Sequence, residues 1–398
     1  MILLCIINLK NQNAIVLPHA AAPKLTNQYD IIKRHYYTVR RILMKKKILS
    51  ALMCTIIAAA AFTGCGGAAS ESTAAPAADA KEETAESTND AAEEGAETTA
   101  DSQFTEDITI ICPVKAGGDT DRNTRTLAQA MQKITGVNVV VKNVDGGATV
   151  MGMQECIDAP ADGNTLIVNG TDMFVPYIQG TSEINIDSFK TIGVPIIDNT
   201  TVLAVNKESG WNTLEDLLAA DKESPNTIEY GGKIGASNQI CGIAMNKEWG
   251  SSFRFVDVGN NAAKMTALLG LQTDVINISY SLANDYFSTG EFIPLVLLGT
   301  EKNDLLPQDV PLASDLGLTN VDFSKFFWVG TGPDVPDEKV AALTEVLEKV
   351  TQDPEFIESI ESNYLNVVFM GGDEARDYCN KMYEETLLPY KEAFLEAQ

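Results

Sequence analysis

Histidine is nearly missing from this chain. Among 398 residues there are two, His19 and His35, and both lie near the N-terminus. From residue 36 onward there is no imidazole, which excludes Ser-His-Asp and Cys-His nucleophile arrangements. Zinc and iron sites lose their commonest ligand. The cysteines form no CxxC pair. The glycines match neither the Walker phosphate loop nor the dinucleotide fingerprint, which argues against nucleotide chemistry and a nucleotide cofactor. Positive charge is scarce, with 29 Lys and Arg against 55 Asp and Glu, so no basic footprint for nucleic acid exists. No apolar run is long enough to span a membrane comfortably.

What is present divides the chain into unlike regions. Lys45, Lys46 and Lys47 form a basic patch before the uncharged apolar run Ile48 to Phe62. Residues 44–64 therefore read as a secretory signal. Gly64-Cys65 at its end resembles a bacterial lipoprotein processing site, where Cys65 would take a lipid anchor. Residues 65–103 are Ala, Glu, Ser, Thr, Gly and Asp with almost no large apolar side chain, a composition expected to remain a disordered acidic tether. Residues 1–43 show no domain-like pattern, and Met44 directly precedes the basic patch, so 1–43 read as a mis-assigned extension. Without residues 1–65 the chain keeps 20 basic and 54 acidic side chains, a net charge of −34. Cys112, Cys156, Cys241 and Cys379 each sit in an apolar pattern, which reads as buried free thiols rather than disulfides.

From Phe104 onward, strand-like and helix-like patterns alternate. Strands are expected at 107–114, 137–144, 166–169, 227–230, 253–258, 274–279, 293–298 and 327–331. Helices are expected at 120–134, 212–220, 238–249, 262–269, 337–351 and 373–388. The alternation predicts an α/β fold with helices packed on mainly parallel sheets.

Three breaks share one design, an apolar strand followed by small residues and then a helix. They are Lys115-Ala116-Gly117-Gly118-Asp119-Thr120, Asn169-Gly170-Thr171, and Gly232 to Asn238 with Gly235 and Ser237. Such turns leave the first N–H groups of a helix free to meet an anion, and glycine permits close approach. In open α/β sheets these loops lie at the carboxyl ends of strands, where ligands bind. Lys115 has two readings, a ligand-facing charge or a solvated lysine at a strand end.

The same segments carry a resemblance. Pro113-Val114-Lys115-Ala116-Gly117-Gly118-Asp119-Thr120-Asp121 resembles the P-F-x-x-G-G-x-x-D opening of tripartite tricarboxylate transporter solute receptors. Asn143 to Gly152, Asp162-Gly163-Asn164-Thr165-Leu166, Tyr230 to Ser237, and Thr266 to Gly270 with Asp274 resemble four further motifs of that family, in order. The resemblance implies a two-lobed type II periplasmic-binding-protein fold with the ligand cleft between lobes. Each lobe would be a mainly parallel sheet flanked by helices. Lobe 1 would span 104–202 plus 323–398, and lobe 2 would span 203–322. The ligand would be a small organic carboxylate held by the three loops and by Ser279, which replaces the family's Asn after the buried strand. Implied partners are the large and small membrane permease subunits, with the membrane reached through the lipid anchor at Cys65. The receptor would be a monomer, lying outside the cytoplasm, with no cofactor, no metal, no nucleic-acid partner and no enzymatic activity. A carboxylate sensor that presents its loaded form to a signalling partner remains the alternative. The family's R-P in the second motif is Val144-Asp145 here, a departure near the expected cleft.

Overall fold

The β-branched and apolar runs form eleven strands in a computed structural model that describes residues 104–397. The signal segment, Cys65 and the acidic stretch to residue 103 lie outside the described residues. Strands β1 (Ile108–Cys112), β2 (Val139–Asn143), β3 (Thr165–Asn169) and β4 (Lys190–Asp198) come first. Strands β5 (Thr201–Asn206), β6 (Glu229–Gly232), β7 (Arg254–Asp257), β8 (Val275–Ser279) and β9 (Phe292–Leu297) form a second sheet. The chain then returns with β10 (Lys325–Thr331) and β11 (Asn366–Gly371) to the first. The sheet orders are β11-β4-β10-β3-β1-β2 and β7-β6-β8-β5-β9.

The expectation of mainly parallel sheets is corrected to mixed ones. β1 runs parallel to β2 and β3, and β6 runs parallel to β7 and β8. The pairings of β10 with β3 and β4, β4 with β11, and β5 with β8 and β9 are antiparallel. The chain path explains this. β10 enters the first sheet from the other lobe, not through a βαβ crossover, so no right-handed connection obliges it to run parallel.

The helices are α1 (Asp119–Thr135), α2 (Val150–Ile157), α3 (Val175–Gln179), α4 (Leu214–Glu223), α5 (Ser237–Glu248) and α6 (Asn261–Leu269). They continue with α7 (Tyr280–Ser288), α8 (Asp337–Thr351), α9 (Pro354–Glu361), α10 (Gly372–Met382) and α11 (Lys391–Glu396). Local chemistry sets their ends. α1 stops at Gly136, whose left-handed φ of 76° lets its N–H reach the Gln132 carbonyl. α4 starts on a capping box in which Thr213 and Asp216 satisfy each other's backbone N–H. α8 occupies the expected residues and buries Leu343, Val346, Leu347 and Val350 on one face. The helix expected over 373–388 is shorter. It gives way to a π turn at Tyr383–Leu387 and a 3-10 turn at Leu388–Tyr390, because Pro389 has no N–H to extend the ladder. β4, β5, β11, α2, α3, α7, α9 and α11 fall outside the expected elements.

Each sheet has apolar packing on both faces. Ile108, Leu127, Leu166, Val329 and Leu343 fill one side of the first lobe, and Ile276, Tyr280 and Phe292 fill one side of the second. A third cluster joins residues of both lobes, among them Phe326 and Trp328 with Leu203 and Tyr230. Trp328 is fully buried, meets Phe189 edge-on at 5.4 Å, and donates its indole N–H to Thr191 Oγ1 at 3.1 Å. All four described cysteines are buried and free. Burial pushes the Cys112 thiol up to about 11 and those of Cys156 and Cys241 to about 12, so none is a ready nucleophile.

The chain passes from the first sheet to the second over Asn199 and Thr200. A buried carboxylate fixes that passage. Asp198 Oδ1 accepts from the Thr200 N–H at 2.9 Å and its hydroxyl at 2.6 Å, while Oδ2 accepts from the Ser279 hydroxyl at 2.5 Å.

Candidate functional site

Between the two sheets, at the ends of β1, β3, β6 and β8, lies a cavity of about 120 Å³. Three separate turns reach it. Asp119 and Thr120 open α1, Asn169, Gly170 and Thr171 follow β3, and Ser237 and Asn238 open α5. Gly170 is needed for close approach, because a Cβ there would sit 2.9 Å from the Phe326 carbonyl oxygen.

The remaining expected residues do not line the cavity. The Lys115 side chain is 78% exposed and lies 3.8 Å from Asp145, an arrangement worth little in water. Ala116 is exposed. Gly117 holds φ +90° and donates its N–H to Asp121 Oδ2 at 2.9 Å, and Gly118 caps α1 in open space. Gly232 acts through a neighbour, since a Cβ there would come within 2.8 Å of Asn238 Oδ1. Gly235 donates its N–H to Gln239 Oε1. Ser279 is fully buried at the Asp198 junction, where it serves the passage between sheets.

Several loop N–H groups already have acceptors. Asp119 takes that of Thr120, Asn169 takes that of Gly170, and Asn238 takes that of Lys233. Asp172 reaches across the cleft from the turn after β3 and accepts the Ser237 N–H at 3.0 Å. Arg122 on α1 makes a second crossing by donating to Ser281 Oγ on α7 at 3.2 Å. Unspent polar atoms also occur on side chains. Asn169 Nδ2, Thr171 Oγ1 and Thr201 Oγ1 are buried without a partner, and all three residues line the cavity. Asn169 is 2% exposed and Thr201 1%. Buried polar groups are rarely left unpaired, so these three atoms call for a partner in the cavity, water or solute.

Two lysines enter the same cavity, one from a strand of the first sheet and one from helix α6 beside the second. Lys325 at the start of β10 pairs with Asp119 at 2.9 Å. Burial works against its charge, but Asp119 and Asp198 hold its pKa above the ordinary lysine value. Burial likewise opposes ionisation of Asp119, yet Lys325 and the Thr120 N–H hold that carboxyl below its usual range. Lys264 on α6 is 2% exposed and donates to Asn277 O at 2.6 Å and Asn277 Oδ1 at 3.2 Å. Burial, reinforced by Lys325, pushes its pKa from 10.5 down to about 7, against attraction from Asp119 and Asp172.

Sequence reasoning missed Lys264, Lys325, Asp172 and Thr201. For Lys264 a signal existed: it shares the buried face of α6 with Ala267 and Leu268, a position where a lysine is out of place. Thr201 opens β5, which was not expected as a strand.

Solved structures share this architecture. One is MatC from Rhodopseudomonas palustris with bound malate, 16% identical, with a TM-score of 0.61 over 73% of this chain and 99% of that one. Another R. palustris protein, with adipate, is 18% identical, with a TM-score of 0.60 over 74% and 95%. The fold is thus the two-lobed type II periplasmic-binding-protein fold, with a mixed sheet in each lobe. The model of the tripartite tricarboxylate transporter family receptor matches residues 123–387. A UPF0065 protein from the TAR-I ttuE-ttuC' intergenic region of Agrobacterium vitis is 26% identical over 265 residues, 66% of this chain and 76% of that protein. The chain belongs to the tripartite tricarboxylate transporter receptor family. It is a solute-binding receptor that works outside the cytoplasm, and not an enzyme.

Proposed function

We propose that this receptor captures one small di- or tricarboxylate, or a related organic anion, in the cleft and delivers it to a permease of large and small membrane subunits. The observation that carries this reading is the set of buried, unpartnered donors, Asn169 Nδ2, Thr171 Oγ1 and Thr201 Oγ1, on residues that line one cavity with a buried lysine. Size supports it. At a water's share of liquid volume, about 30 Å³, the cavity of about 120 Å³ has room for roughly four waters or a small organic molecule. The two solved structures hold small organic acids, malate and adipate.

Capture would proceed by closure of lobe 2, residues 203–322, on lobe 1 about the passage held by Asp198. Ligand groups would replace water at the unspent donors. The test is a thermal-shift panel of mono-, di- and tricarboxylates with amino acids as a second class. A carboxylate at a hundred times its Kd should stabilise the protein by about 2.7 kcal/mol, with compaction in small-angle scattering. Thr201→Val sharpens the result. It should leave the ligand-free melting temperature unchanged or raised, because the lost hydroxyl has no partner, and weaken the ligand about threefold to tenfold. A panel without any stabilising carboxylate sinks the proposal.

The receptor would act as a monomer held at the membrane through a lipid on Cys65, with residues 66–103 as the tether. Intact-mass analysis of the protein from its native membrane should find a diacylglyceryl adduct on Cys65. A native protein cleaved elsewhere and free of lipid removes the anchor.

A further inference from the structure

Charge pairing in the cleft is uneven. Lys325 has Asp119 at 2.9 Å, whereas the Lys264 ammonium meets only Asn277 oxygens among the described residues. An ammonium has three N–H donors, and two are spent there. The charged and titratable groups facing Lys264 come from four other elements: Lys325 on β10, Asp119 at the start of α1, Asp172 after β3 and Cys241 on α5. Asp119 is engaged by Lys325, and Asp172 holds the Ser237 N–H. A buried ammonium without a contacting anion is costly, and an incoming carboxylate removes that cost.

We propose that Lys264 is the charge partner of the captured carboxylate, and that capture loads one solvent proton onto its amine, so that the receptor takes up its anion and a proton together. This rests on the carboxylate-receptor reading above. The balance is simple: the free amine, a proton released by buffer, and the ligand carboxylate become an ammonium–carboxylate pair, with no bond in the ligand broken. The lowered pKa of about 7 in the empty cleft leaves the amine largely unprotonated at mildly alkaline pH. Asp119 stays ionised, Lys325 charged and Cys241 neutral across that window, so Lys264 is the group that changes state.

The sign follows from linkage. Ligand raises the Lys264 pKa, so the lysine's contribution to affinity is flat below about pH 6 and falls by nearly tenfold per pH unit well above pH 7. Isothermal titration of the full-length protein with succinate, malate, adipate and citrate tests this at pH 6.5 and 8.5, in two buffers of different ionisation enthalpy. An acid that binds should lose about 20-fold to 30-fold in affinity between the two pH values. Its apparent enthalpy at pH 8.5 should report uptake of about one proton. Lys264→Met, checked for folding by its melting curve, should bind more weakly at pH 6.5 and show neither effect. Wild-type binding with no pH dependence and no proton uptake overturns the inference, as does a Lys264→Met variant that keeps both. Failure of all four acids to bind wild type at pH 6.5 overturns the carboxylate reading itself, and this inference with it.

Discussion

Lys325→Met should destabilise the protein by about 1–3 kcal/mol at pH 7, because it removes one partner of a part-buried, hydrogen-bonded ion pair and leaves the other. The partner left behind is Asp119, whose side chain is 16% exposed and whose ionised form depends on Lys325. The pH dependence gives the loss a signature. A carboxyl held below its ordinary value contributes stability that is present above 3.8 and lost as pH falls through its folded value. In Lys325→Met that contribution disappears, so the gap from wild type is full at neutral pH and narrows towards acid. Urea unfolding at pH 7 and pH 3.5 reads both. Asp119→Asn combined with Lys325→Met should recover part of the loss, because neither charge is then stranded. Equal stability of wild type and Lys325→Met at pH 7 would show that the pair is a solvated contact.

Lys264→Met should shift ligand-free stability the other way. A lysine whose pKa falls from 10.5 to about 7 on folding imposes a cost that is fully present below pH 7 and disappears as pH rises to 10.5. Methionine has a similar length and no charge. It forfeits the hydrogen bonds to Asn277, which offsets part of the gain. The expected net gain at pH 6.5 is on the order of 1–3 kcal/mol, shrinking by pH 10. Melting curves at the two pH values measure it, and a variant less stable than wild type at pH 6.5 contradicts the assignment. Together with weaker ligand binding, the result would mark a residue retained for function at the expense of stability.

Much of the fold was legible because local patterns report local structure. The Val340, Leu343, Leu347 and Val350 stripe placed α8 at its observed bounds, and Gly136 ended α1 where a left-handed residue was needed. β4 and β5 escaped, although Lys190–Asp198 and Thr201–Asn206 are largely apolar. They are buried on both faces, so the alternation that marks a half-exposed strand is absent. Seven of the fourteen expected ligand residues line the cavity. Asp119, Thr120, Ser237 and Asn238 open helices, whereas Asn169 ends β3 and Gly170 and Thr171 follow it. The earlier glycines, Gly117 and Gly118, shape the turn, and their place one or two residues away could not be read from spacing alone.

The sequence by itself determined that no histidine chemistry is possible beyond residue 36, that strands and helices alternate, and that three small-residue turns precede helices. Those properties depend on residue type and on neighbours a few positions away. Tertiary structure decided which turn residues reach the cleft, that Ser279 serves the passage between sheets, and that β10 runs antiparallel to its neighbours. It also decided that Lys264 and Lys325 share one cavity, the first without an anion and the second with Asp119. The reason is that a charge's surroundings depend on how two sheets, joined by Asn199-Thr200 and the return to β10, are set against each other. No periodicity along the chain records the face that one lobe presents to the other.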